Sequence, residues 1–149
     1  MFRNRLAVRR GIDKLTAELL HATAVAINGE GVLLLGPSGS GKSDLALRLI
    51  DRGAVLISDD GVLVEAHSPL PLLRTAPNIA GMIEMRGVGI LKMPFADGVP
   101  LHLAVKLGID GERLPPEDQV MNITGIDIRF IALSAFEASA PLKIEQALH

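Results

Sequence analysis

The sequence contains no cysteine, no tryptophan and no tyrosine. Without cysteine there is neither a disulfide framework nor a thiolate metal site, which suits a reducing compartment and sets the expectation of a cytoplasmic protein. Aromatic residues make up only 3% of the chain, and the net charge is −2. Few stacking platforms and no overall basic surface argue against a nucleic-acid partner. No apolar run reaches the length of a membrane span. The basic start is not followed by a long apolar block or a small-residue cleavage site, so neither a membrane segment nor a signal peptide is expected. The cluster Arg3, Arg5, Arg9 and Arg10 reads as a solvated terminal segment without a function of its own.

What is present is a 149-residue chain that is 48% hydrophobic, enough for the core of one domain. Leu6 to Leu20 mixes apolar and charged residues and reads as partly helical. Thr23 to Ile27 reads as a strand, Asn28-Gly29 as a hairpin turn, and Val32 to Leu35 as a short buried strand. A glycine-rich loop follows. Asp44 to Arg52 then has helical spacing, Gly53 sits just past its end, and Val55-Leu56-Ile57 is a further buried strand ending in Ser58-Asp59-Asp60. This half is a βαβ unit with its polar groups gathered at one end. Beyond it, Val62 to Val64, Leu70 to Leu73, Ile83 to Met85, Val88 to Met93 and Leu101 to Leu107 are apolar runs punctuated by Pro and Gly, which predicts extra strands and hairpins. Asp110 to Gln119 reads as an exposed loop. Pro141 to Leu148 reads as a terminal helix, with Ser139 as a candidate cap.

The chemistry begins at Gly36-Pro37-Ser38-Gly39-Ser40-Gly41-Lys42-Ser43, an undistorted Gly-x-x-x-x-Gly-Lys-Ser. Glycines let successive amides turn toward a phosphate, the following helix aims its positive end at the same point, the lysine reaches the outer phosphates, and the serine hydroxyl offers itself to Mg²⁺. A chance glycine-rich turn is the plain alternative. The pattern should arise by accident in on the order of one in a hundred chains of this length, and here a buried strand precedes it and a helix follows it, as the mechanism requires. ATP with Mg²⁺ is the expected ligand. A metal carboxylate is expected at the end of a neighbouring strand, and Asp59 and Asp60 occupy that position. Neighbours on an extended chain face opposite ways, so one can serve the metal while the other takes a proton. Asp-Asp-Gly would otherwise read as an acidic turn.

With His21, the stretch Ile83-Glu84-Met85-Arg86-Gly87-Val88-Gly89-Ile90 and Glu112-Arg113-Leu114 added, the chain resembles the catalytic domain of HPr kinase/phosphorylase, in a short form without the family's N-terminal domain. The resemblance covers roughly His21 to Arg113, and residues 1–149 are taken as a single catalytic domain. It implies an α/β, P-loop kinase-like fold related to phosphoenolpyruvate carboxykinase, with a βαβ phosphate-binding core plus additional β-hairpins. It also implies ATP- and Mg²⁺-dependent phosphorylation of a serine on the phosphocarrier HPr, the reverse phosphorolysis giving pyrophosphate, and a hexamer. By resemblance, His21, Lys42, Asp60 and Arg113 are catalytic, and Ser43, Asp59 and Glu84 hold magnesium. Two departures stand out. Pro37 removes one amide from the loop. Thr124 to Ala135 has Arg129 as its only base, where the family carries a basic segment linked to dephosphorylation.

Two rival readings remain. A small-metabolite P-loop kinase predicts a mobile lid with several arginines, which the Pro/Gly-rich stretch from Val62 to Met93 does not resemble. A non-catalytic nucleotide sensor of the GTPase kind predicts an Asn-Lys-x-Asp guanine reader, which is absent.

Overall fold

The computed structural model describes the backbone of residues 3–10 and 14–149, and side chains from residue 17 onward. It opens with β1 (Arg3–Arg10) and β2 (Lys14–Leu20), paired antiparallel. The expectation that Leu6 to Leu20 is partly helical is therefore corrected for residues 6–10 and 14–20, while residues 11–13 lie outside the described residues. β2 is bonded along its other edge to β6 (Val62–Glu65), with Ala17 opposite Glu65 and Leu20 opposite Val62. A distant partner strand outweighs weak local preference.

β3 (Ala22–Ile27) and β4 (Glu30–Leu35) form the hairpin expected around Asn28-Gly29. Both turn residues have positive φ, 51° and 79°, the geometry that matches the twist of a two-residue hairpin. After β4 come α1 (Lys42–Asp51) and β5 (Val55–Ser58). β5 pairs antiparallel with β3, which pairs antiparallel with β4. The β4–α1–β5 unit is thus parallel as expected, but β3 is inserted between its two strands. The chain continues through β7 (Leu72–Thr75), the separate hairpin of β8 (Met82–Met85) and β9 (Gly89–Lys92), the long β10 (Val99–Leu107), β11 (Val120–Ile123), β12 (Ile126–Leu133) and α2 (Ala140–Ala147). At α2 the expected cap is only positional: Ser139 makes no side-chain capping bond, and its backbone carbonyl accepts from the Lys143 amide.

Among the described residues ten strands form one sheet, ordered β1-β2-β6-β7-β10-β4-β3-β5 along its main path. β12 joins β10 in parallel, and β11 pairs with β12. β10 pairs with β7 through Val99 and Pro100 and with β12 through Ala104 to Leu107. β10 and β12 run parallel to β4. The carboxyl ends of β4, β5, β10 and β12 therefore emerge along one edge, where open α/β sheets bind ligands.

β4 shows how this half is packed. Val32 and Leu34 pack into a core with Leu45, Leu49 and Ile144 of the helices. Leu33 and Leu35 face a second core containing Ile57, Val62, Leu73 and Leu101. A strand buried on both faces is wholly apolar, and each such leucine contributes about 1.5–3 kcal/mol through burial. α1 docks through Lys42, Leu45, Ala46 and Leu49, the spacing of one helical face. Among the described residues no helix is long and apolar enough to cross a membrane.

Candidate active site

The residues from Gly36 to Ser43 connect β4 to α1 in a loop folded tightly on itself. A side chain at Gly36 would place its Cβ 2.6 Å from Ser40 Oγ and 3.1 Å from the Leu107 carbonyl. The Ser40 amide donates to the Pro37 carbonyl at 3.1 Å. Gly41 begins the helix with φ 92°, a left-handed conformation that favours glycine, and its position brings no side-chain cap to the first turn. The orphan amides of that turn and the helix dipole would favour an anion placed there. Lys42 is buried, and its Nζ donates to the carbonyls of Gly36 (2.7 Å) and Pro37 (3.1 Å). Burial lowers its pKa; the charges of Asp60 and then Asp59 pull it back up. Ser40 Oγ is buried without a hydrogen-bond partner among the described residues.

Below the loop, Ser43 Oγ donates to Asp59 Oδ1 at 2.7 Å. Asp59 is 7% exposed and also accepts from Thr23 Oγ1 at 2.9 Å, with the Glu84 amide 3.4 Å from its other oxygen. Asp60 turns away. Its φ is 56°, its side chain is 73% exposed, and its Oδ1 lies 3.5 Å from His21 Nδ1. The two aspartates do part company as expected, but the cause differs. Both lie beyond the end of β5, so a left-handed turn separates them rather than strand alternation. The Gly61 amide donates to the Ala22 carbonyl at 2.8 Å and Ser58 Oγ to the Gly61 carbonyl. The first bond fastens the bend between β5 and β6 to the start of β3, next to His21, and the second closes the bend itself.

His21, Lys42, Ser43, Asp59 and Asp60 thus converge, and Glu84 reaches the group through its backbone while its side chain is exposed. Arg113 is not brought in. It lies in the exposed stretch 108–118 and makes no ion pair or hydrogen bond among the described residues. Glu84 opposes Ile90 across the β8–β9 hairpin, and Arg86 lies in its turn. Two contributors escaped sequence reasoning. Thr23, fully buried, orients Asp59; its only signal was a hydroxyl in an apolar strand. Arg48 reaches from α1 to the carbonyls of Ala135 and Glu137.

These groups fit a nucleoside triphosphate with a hard cation. The orphan Ser40 hydroxyl and uncapped amides suit phosphate oxygens. The touching hydroxyl and carboxylate of Ser43 and Asp59 are oxygen donors of the kind Mg²⁺ takes alongside substrate phosphates. Among the described residues no three His, Asp or Glu side chains form a cage that would hold a metal by protein alone.

A glycine loop between a buried strand and an uncapped helix, set over a hydroxyl–carboxylate pair at the edge of a large sheet, defines the class: a mixed α/β protein with few helices and its polar groups gathered at one sheet edge. Residues 13–144 match the family model described as HPr Serine kinase C-terminal domain, and the chain belongs to that family. It is 40% identical over 121 residues to the HPr kinase/phosphorylase of Caldicellulosiruptor bescii, covering 72% of this chain and 39% of that one. It is 44% identical over 119 residues to that of Lachnoclostridium phytofermentans, covering 71% and 38%. The chain spans about two fifths of the length of such curated relatives. The structure of the Hpr(Ser) kinase/phosphatase from Coxiella burnetii superposes with a TM-score of 0.73 at 26% identity, covering 87% of each chain.

Proposed function

We propose that residues 1–149 form one catalytic unit that transfers the γ-phosphoryl group of ATP, with Mg²⁺, to a serine hydroxyl of an HPr-type phosphocarrier protein. The observation that carries this reading is the Ser43–Asp59 contact at 2.7 Å beneath a buried Lys42, with Asp60 exposed on the open side. The names of the relatives support the choice of phosphocarrier as substrate.

Phosphoryl transfer is mostly positioning and neutralisation of charge. The amides of Gly36 to Ser43 and the Lys42 ammonium hold the outer phosphates, with Lys42 exchanging its loop carbonyls for phosphate oxygens. Ser43, Asp59 and Glu84 would hold magnesium, which would supply charge neutralisation for the transferring phosphates. Asp60 accepts the proton of the incoming serine hydroxyl, and its exposure leaves room for a protein substrate. His21, beside Asp60, balances the charge that moves with the phosphoryl group, whereas Arg113 lies outside this group. In the reverse direction a protonated Asp60 gives its proton to the leaving serine while inorganic phosphate takes the phosphoryl group as pyrophosphate.

The test is incubation with γ-labelled ATP, Mg²⁺ and HPr from the same cell. Label on a serine of the carrier is expected, and label confined to a small molecule would replace this reading with a metabolite kinase. Adding inorganic phosphate to the labelled carrier and measuring pyrophosphate tests the reverse direction separately.

A further inference from the structure

Among Phe, Trp and Tyr only phenylalanine occurs in the chain, four times, and of those whose side chains are described Phe136 is the most exposed, ahead of Phe95 at 44%. Phe130 is half-buried and carries the Lys106 ammonium 4.1 Å above its ring. Phe136 is instead 69% exposed, in the connection between β12 and α2. Burying such a ring is favourable, so exposing it calls for a restraint. This loop is held. The Arg48 guanidinium donates to the carbonyls of Ala135 and Glu137 on either side of it, the Phe136 amide donates to Ser134 Oγ at 3.3 Å, and Glu137 pairs with Lys143.

The ring is held against the start of α1. A Cβ on Gly41 would sit 3.1 Å from its Cε1, 3.2 Å from its Cζ and 2.9 Å from the Ala135 Cβ. Glycine at position 41 therefore serves the neighbouring loop as well as its own φ, because any side chain would push the ring off the phosphate loop. β12 runs parallel to β10 and β4, so this loop leaves the sheet at the same carboxyl edge as residues 36–43.

We infer that Phe136 is the stacking platform for the purine base of the nucleotide whose phosphates lie on that loop. The inference deepens the proposed function and rests on its phosphate-loop reading. An exposed ring face next to a phosphate site matches the flat face of a base, and stacking of this kind tolerates different bases because every base has a π-face.

The chain has neither tryptophan nor tyrosine, so Phe136→Trp installs a lone indole as its own reporter. Titration with MgATP is expected to quench its fluorescence, and magnesium tripolyphosphate, which lacks a base, is expected to leave it unchanged. In calorimetry Phe136→Ala should weaken MgATP about tenfold and leave tripolyphosphate affinity unaltered; Phe136→Leu should behave like alanine. Unchanged MgATP affinity in Phe136→Ala, or an equal loss for both ligands, would overturn the inference while leaving the phosphate loop standing. Wild-type protein that binds neither ligand would instead overturn the phosphate-loop reading, and the stacking role with it.

Discussion

Replacing Thr23 by valine isolates one link in the site, because valine has nearly the same shape and lacks only the hydroxyl. Thr23 is fully buried. Its Oγ1 donates to Asp59 Oδ1 at 2.9 Å and lies 3.4 Å from the Asp60 amide. A hydrogen bond to a charged acceptor contributes about 1.5–3 kcal/mol, and no cavity is created, so Thr23→Val should destabilise by about 2 kcal/mol. For a chain of this size that corresponds to a melting temperature lower by about 4–8 °C. Thr23→Ser retains the donor and should recover most of the loss. Ser43 Oγ donates to the same oxygen at 2.7 Å, so the two hydroxyls are coupled. In a double-mutant cycle with Ser43→Ala the combined loss should exceed the sum by about 0.5–3 kcal/mol, because the second deletion strands a buried carboxylate that the first left with one strong donor. Activity adds an independent readout: the Mg²⁺ concentration for half-maximal transfer should rise in Thr23→Val, since Asp59 is no longer held in place. A melting temperature within about 1 °C of wild type, or strict additivity in the cycle, would refute the claim that Thr23 positions Asp59.

Lys42→Ala should abolish phosphoryl transfer measured with labelled ATP, and near-normal turnover would remove the whole scheme. Asp60→Asn should lose transfer yet retain ATP binding by calorimetry; loss of binding instead would reassign Asp60 to the metal. Because burial depresses the Lys42 pKa, the unfolded chain binds more protons than the folded one between the folded-state pKa and 10.5. Stability from this group therefore rises with pH across that window. Thermal melts from neutral pH upward should show wild type gaining on Lys42→Met, and parallel curves would contradict it. Leu34→Ala, at a fully buried position on β4, should cost about 3 kcal/mol in urea unfolding.

The sequence disclosed most where local geometry leaves little choice. Asn28-Gly29 requires two positive φ values and formed its hairpin. The run Val32 to Leu35 is apolar on both faces and became a strand buried on both faces. Leu45 and Leu49 share one face and mark the buried side of α1. The ambiguity of Leu6 to Leu20 did not resolve locally: residues 14–20 alternate weakly, and what made them a strand was an edge of β6 more than forty positions away.

That contrast sets the boundary between chain and fold. From the sequence alone came the glycine-rich loop at residues 36–43, the strand and helix around it, the acids at 59 and 60, and the family resemblance, because each is written in neighbouring residues. Tertiary structure alone decided that β3 lies between β4 and β5, that Thr23 and Ser43 share Asp59, that Asp60 faces His21, and that Phe136 leans on Gly41. These contacts join segments far apart in the chain, and strand order and the carboxyl ends that meet at one edge bring them together. No local propensity encodes such meetings, because they exist only once the two cores have closed.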